Sequence, residues 1–218
     1  AYTGRDHVIV LGYHGWQDWY IGSTSMHRGV PSLTRSLTHA VPYGDISALE
    51  SVVASLPDQV AAVIMEPMTS AFPPEGYLQG VRELTERLGI VLVFDEMLTG
   101  FRFAPGGAQE YFGVTPDLAA FGKALSNGFP LSAIVGRADI LDVMRSIFFS
   151  GTFGGETLSL AAARVVLDRY ATGVPTASLA SIGQSLWDAI EDARSASSAS
   201  FLSFSGHPTW VFQQWHIF

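Results

Sequence analysis

Residues 91–123, VLVFDEMLTGFRFAPGGAQEYFGVTPDLAAFGK, constrain this chain more than any other stretch. Residues 90–94 are apolar and largely β-branched, with no polar interruption. That is the composition of a parallel strand buried on both faces by helices. The run stops at Asp95 and Glu96. In open α/β sheets the ligand crevice lies outside the carboxyl ends of the strands, so acids placed there are expected to face a bound molecule rather than bulk water. A second apolar run, residues 117–121, stops at Gly122 and Lys123. Two strand ends therefore offer a carboxylate and an amine to one crevice.

This pair is what pyridoxal phosphate requires: a lysine amine to form a Schiff base, and a carboxylate to keep the pyridine nitrogen protonated so that the ring accepts electrons. In a partly desolvated pocket such a lysine holds more of its free-amine form and attacks a carbonyl more readily. Taken singly, Asp95 could cap the following turn and Lys123 could be a solvated surface residue. The surrounding residues decide between these.

The 218-residue chain is long enough for one sizeable core, and 48% hydrophobic residues with scattered Gly and Pro fit a globular α/β protein. A formal charge of −8 argues against nucleic acid or an anionic membrane as the main partner. Zero cysteines exclude disulfides and thiolate metal ligands and are compatible with a cytoplasmic location. No apolar run reaches the length of a membrane span, and no zinc spacing, nucleophile elbow or Walker loop occurs, so no metal is expected.

From the start of the chain, residues 7–11 (HVIVL) read as a buried strand with only six residues before it. Gly12-Tyr13-His14-Gly15-Trp16 follows, an aromatic ring and an imidazole between glycines, able to lie flat on a planar ligand or to form an ordinary packed turn. Residues 17–38 lack periodicity and suit a binding or interface loop, with Trp19 and Tyr20 as candidates for interface packing. A helix capped by Asp45 is expected over residues 45–55, a strand over 61–65 ending at Glu66-Pro67, and an amphipathic helix over 77–88 stopped by Gly89. Glu66 either faces the crevice or braces the next loop. Beyond Lys123 come a turn at 126–130, a strand at 131–135 and a short helix at 139–145. The glycine-rich segment 149–155 leaves amides and the Thr152 hydroxyl available to an anion. Helices over 156–170 and 178–194, separated by Gly173-Val174-Pro175, lead to a Ser/Ala run at 195–200 and an aromatic-rich end. There Trp210, Trp215 and His216 read as core or interface. Alternating strands and helices imply a mainly parallel sheet covered on both faces.

FDEMLTGFR, followed by PDLAAFGKALSNGFPLSAIVGR, closely resembles the class III pyridoxal-phosphate-dependent aminotransferases. TGFR, GGAQEYFGV and PDL before the lysine look most like the glutamate-1-semialdehyde 2,1-aminomutase branch. The resemblance covers residues 2 to about 170, and its motifs occur in the family order. It implies the fold type I transferase architecture. Residues 1–175 would form the cofactor-binding large domain, without the N-terminal part that carries a phosphate loop, and residues 176–218 a linker helix and the beginning of a small C-terminal domain. By the same resemblance Asp95 pairs with the pyridine nitrogen, Lys123 forms the Schiff base, Met97 packs against the ring and Tyr13 stacks on it. His14 belongs to Tyr13's motif, and Glu66 lies near the crevice. Thr152 reaches the cofactor phosphate of a neighbouring subunit, so a homodimer is implied.

Two positions depart from the family's common pattern. Leu98 stands where many members have a glutamine that bonds the ring oxygen, which favours the aminomutase-like branch, and Gly155-Glu156 is unusual after Thr152. The expected activity is amino-group transfer on a small amino acid, amino aldehyde or amino sugar. Arg102 is a candidate for a substrate carboxylate or for a structural ion pair. The alternatives are a non-catalytic binding or interaction module and another fold type I enzyme such as a racemase or decarboxylase.

Overall fold

The computed structural model describes residues 1–197, 202–205, 207–209 and 214–217. Trp210 and residues 198–200 of the Ser/Ala run lie outside these. Five parallel strands and one antiparallel strand form a sheet. They are β1 (His7–Leu11), β2 (Thr38–Ala40), β3 (Val60–Met65), β4 (Val91–Asp95), β5 (Leu118–Phe121) and β6 (Ala133–Gly136), in the order β2-β1-β3-β4-β5-β6. Only β6 runs antiparallel, against β5. The chain steps outward from β1 to β2 and then returns past β1 to β3. The carboxyl ends of β1 and β3 therefore flank the switch point where open α/β sheets bind ligands.

The register builds the core. Ile9, Val63 and Leu92 lie in one row across β1, β3 and β4, and Leu11, Met65 and Phe94 lie in another. With two residues per pleat, both rows point to the same face. All six side chains are buried in one cluster with Leu49 and Val53 of α3 (Ile46–Ser55) and Leu78, Val81 and Leu84 of α4 (Tyr77–Arg87). Each such side chain removed from water contributes roughly 1.5–3 kcal/mol. The elements start where the sequence predicts. Asp45 accepts the Ala48 N–H at 2.9 Å as the cap of α3, and Glu156 accepts the Leu158 and Ser159 N–H groups at the head of α7 (Thr157–Tyr170).

Several expectations shift. Residues 17–38 are not wholly irregular: they hold the short helices α1 (Asp18–Ile21) and α2 (Ser32–Ser36), and Thr38 opens the edge strand β2. At three residues β2 is too short to show a period. The strand after the Ser126 turn begins at Ala133, and the helix after it, α6 (Ala138–Leu141), gives way to a 3₁₀ turn over Asp142–Arg145. Between β4 and β5 lies α5 (Ala108–Phe112). The final helix, α8 (Val174–Ala196), is longer than expected because Pro175 falls in its first turn, where its missing N–H costs no helical bond. The strands β7 (Leu202–Ser205) and β8 (Gln214–Ile217) form a separate antiparallel pair, and β8 includes Trp215 and His216.

Candidate active site

Leu11, Met65 and Phe94 share a row, so the residues that follow them, Gly12, Glu66 and Asp95, share the next one. Alternation turns this row away from the α3/α4 core, and it stands at the switch point. Asp95 and Glu96, both expected to face a ligand, separate for the same reason. Glu96 is buried at 1% exposure. It accepts the Ala108 and Gln109 N–H groups at 3.0 and 2.8 Å and the Thr99 hydroxyl. Burial pushes its carboxyl up, more than these three donors pull it down. Glu96 is thus a bracket for the loop between β4 and α5, and only Asp95 belongs to the crevice.

Asp95 is held by two donors. Its Oδ1 accepts the Met97 N–H at 3.1 Å, and its Oδ2 lies 2.8 Å from His14 Nδ1. The other imidazole nitrogen, Nε2, is 3.1 Å from the Leu11 carbonyl, which can only accept, so Nε2 carries a proton. One proton is then shared between His14 Nδ1 and Asp95 Oδ2, and the carboxyl is fixed in direction. The buried His14 ring packs against both Trp19 and Tyr20, at ring-centre distances of 6.5 and 5.5 Å, and those two rings also meet each other at 5.9 Å.

Glu66 lies beside this pair. Burial pushes its carboxyl up and the neighbouring Asp95 adds to this, while the Tyr13 N–H and the charges of His14 and Lys123 pull it down. Asp95 pairs with Ala120 of β5, and Lys123 follows that strand by two residues, so the lysine turn stands at the same end of the sheet. Lys123 opens the 3₁₀ turn Lys123–Leu125 with φ +44°. This left-handed conformation costs an L-residue roughly 1–2 kcal/mol, the kind of strain that gathers at functional sites. Gly122 before it packs under Met97: a Cβ there would fall 2.5 Å from Met97 Cε.

Tyr13 stands in the turn after β1 with 64% of its surface exposed. Lys123 is also exposed, against the expectation of a partly desolvated amine at a buried strand end, because none of the described elements closes over it. Thr152 is exposed in a turn of its own and hydrogen-bonds none of the other candidates. Arg102 donates to the Thr209 carbonyl at 3.4 Å, a long bond to backbone rather than the ion pair expected as its structural alternative. Tyr20 is the site neighbour whose role sequence reasoning missed. Its hydroxyl donates to the Gly12 carbonyl at 3.0 Å, and the signal for it was an aromatic cluster directly after the Tyr13-His14 motif.

The class-III aminotransferase family model matches residues 1–201. The chain belongs to that family. It is similar to two archaeal proteins named glutamate-1-semialdehyde 2,1-aminomutase. The one from Methanothrix thermoacetophila is 40% identical over 192 residues, covering 80% of this chain and 44% of the relative. The one from Methanocaldococcus jannaschii is also 40% identical, over 178 residues, with 73% and 42% covered. An omega-transaminase from Sphaerobacter thermophilus superposes with a TM-score of 0.84 at 29% identity, over 95% of this chain and 53% of that one. The FumI protein of Sphingopyxis sp. MTA144, in its PLP internal aldimine form, gives 0.88 at 26% identity, over 98% and 52%. This class-III chain thus spans about half the length of the relatives it matches. The fold type I architecture and the aminomutase-like resemblance both stand.

Proposed function

We propose that this chain belongs to a pyridoxal-phosphate enzyme that moves an amino group, an aminotransferase or aminomutase acting on a small amino acid, amino aldehyde or amino sugar. The observation that carries the reading is the row at the switch point. It holds Asp95, oriented by His14 and by the Met97 N–H, with strained Lys123 following the adjacent strand. These residues fit the cofactor. A fixed carboxyl suits a pyridine nitrogen, Gly122 lets Met97 lie close to the lysine-bearing turn, and the exposed Tyr13 ring offers an aromatic face. When bound, pyridoxal phosphate supplies the electron sink for deprotonating an amino-bearing carbon. Asp95 would hold the ring nitrogen, with His14 keeping Asp95 aimed at it. Lys123 would hold the cofactor through its amine and would carry a proton to and from the substrate carbon. Tyr13 would orient the ring, and Glu66 and Met97 would complete the cofactor's surroundings.

The reading includes a homodimer in which Thr152 of each copy serves the neighbouring site, a large domain over residues 1–175 and a second unit from 176 onward. The exposure of Thr152 and the separate β7–β8 sheet support this. A cytosolic location completes the reading, and cell fractionation tests it. Among the described residues no helix is long and apolar enough to cross a membrane. A second reading, a cofactor-binding or interaction module without catalysis, is favoured by the exposure of Lys123.

The test is the visible absorption spectrum of the chain with pyridoxal phosphate beside a Lys123→Ala variant. The proposal expects a band near the protein-bound cofactor's usual position that is lost in the variant. A band of equal strength in both proteins, or in neither, overturns it. Product formation from amino donors then separates amino transfer from the non-catalytic module.

A further inference from the structure

The turn that follows β1 carries Tyr13 and His14, and two residues outside that motif bear on it. The Gly12 carbonyl accepts the Tyr20 hydroxyl at 3.0 Å.

The side chains repeat the arrangement. The Tyr20 ring meets Tyr13 edge-on at 5.6 Å and 83°, and meets His14 edge-on at 5.5 Å and 80°. Tyr20 is buried, while the Tyr13 ring it supports is exposed. Glu66 closes the other side. Gly12 has φ +101°, and a Cβ added to it would lie 2.8 Å from Glu66 Oε2, so the carboxylate is seated directly on the turn. A large exposed ring has no packing of its own to hold it, and its direction is set by the peptide that bears it.

We propose that Tyr20 and Glu66 are positioning residues. Together they clamp the Gly12–Tyr13–His14 backbone, so that the Tyr13 ring is presented to the cofactor and the His14 imidazole to Asp95. The clamp rests on the functional reading above and extends it to a residue outside the motif. Neither residue needs to take part in bond making. Tyr20 comes from α1, so its hydroxyl and ring help tie the segment between β1 and β2 to the site.

Tyr20→Phe keeps the ring and both edge contacts and removes only the hydroxyl. Glu66→Gln keeps the shape of the group seated on Gly12, and Glu66→Ala removes it. Visible circular dichroism of the full chain after adding pyridoxal phosphate reports how firmly the ring is held, and the far-UV spectrum of each variant reports its folding. The visible amplitude is expected to fall by roughly half in Tyr20→Phe and Glu66→Ala at an unchanged far-UV spectrum, with Glu66→Gln close to the parent, because each of the two loses one contact of the clamp. An undiminished visible amplitude in Tyr20→Phe and Glu66→Ala overturns the positioning role. A parent that shows no bound-cofactor band overturns the functional reading, and the positioning role with it. The clamp's own failure is distinct, since it leaves the parent's band intact.

Discussion

A single carboxylate ties the amino-terminal end of the sheet together, opposite the site. Asp117 is buried, and it accepts the Leu92 N–H at 2.8 Å, Arg82 at 3.0 Å and Arg137 at 3.0 Å. Burial pushes this carboxyl up, but the Leu92 N–H and the two guanidiniums outweigh it and hold it below the ordinary aspartate value. A depressed folded-state value means that the stabilisation is fully present above about pH 3.8, the value reached when unfolded, and is lost as pH falls through the folded value. Asp117→Asn should cost about 2 kcal/mol at neutral pH, because two charge-assisted bonds are removed inside the protein. Urea denaturation at pH 7 and again below pH 4 checks this: the gap between parent and variant should shrink in acid. A gap that stays constant would show that the ionised form has no special part. Glu96 and Asp95 give the same lesson in sequence reading. Two adjacent acids looked equivalent, and a one-residue step along a pleat sent one to the crevice and the other into a helix bracket.

At the scale of elements, β4 is the centre of the sheet and the strand that carries Asp95. Leu92 is fully buried between β3 and β5, under α3 and α4. Leu92→Ala should destabilise the fold by roughly 2–5 kcal/mol, with the upper part of the range expected if the cavity cannot collapse. The midpoint of urea unfolding measures it, and a loss below 1 kcal/mol would mean that the row is packed more loosely than its burial indicates. Strands β1, β3, β4 and β5 and helices α3, α4 and α7 were legible because each has a clean period or a polar cap. The edge strand β2 and helices α1 and α2 were not, since three to five residues cannot display a period and their order comes from neighbours. The antiparallel direction of β6 is likewise absent from its own sequence.

For the whole molecule, the face of the sheet opposite α3 and α4 is only partly covered. A cavity of about 680 Å³ opens there, among Val93, Ala120, Ile134, Met144, Ile147 and Phe149. Phe148 and Phe149 beside it are 96% and 72% exposed. Contiguous apolar exposure of this kind is a candidate contact surface, and the proposed homodimer would use it. With the proposed homodimer this segment lies near the shared sites, since Thr152 follows it directly. Replacing Phe148 and Phe149 together by Ser should lower the dimer fraction about tenfold or more at fixed concentration in sedimentation, with an unchanged far-UV spectrum. An unaltered sedimentation profile would remove this segment from the interface.

The sequence by itself determined the fold class and the family, and it named the residues of the candidate site, because strand composition, strand-end acids and the lysine motif are written in consecutive residues. It also carried the helix caps at Asp45 and Glu156, which act within three residues of themselves. Only the tertiary structure decided which acid faces the crevice, that His14 grips Asp95 from 81 positions away, and that the Tyr20 hydroxyl reaches the Gly12 carbonyl. The physical reason is the register of parallel strands: their hydrogen bonds join residues remote in sequence, and a shift of one residue would turn every side chain of the row to the other face.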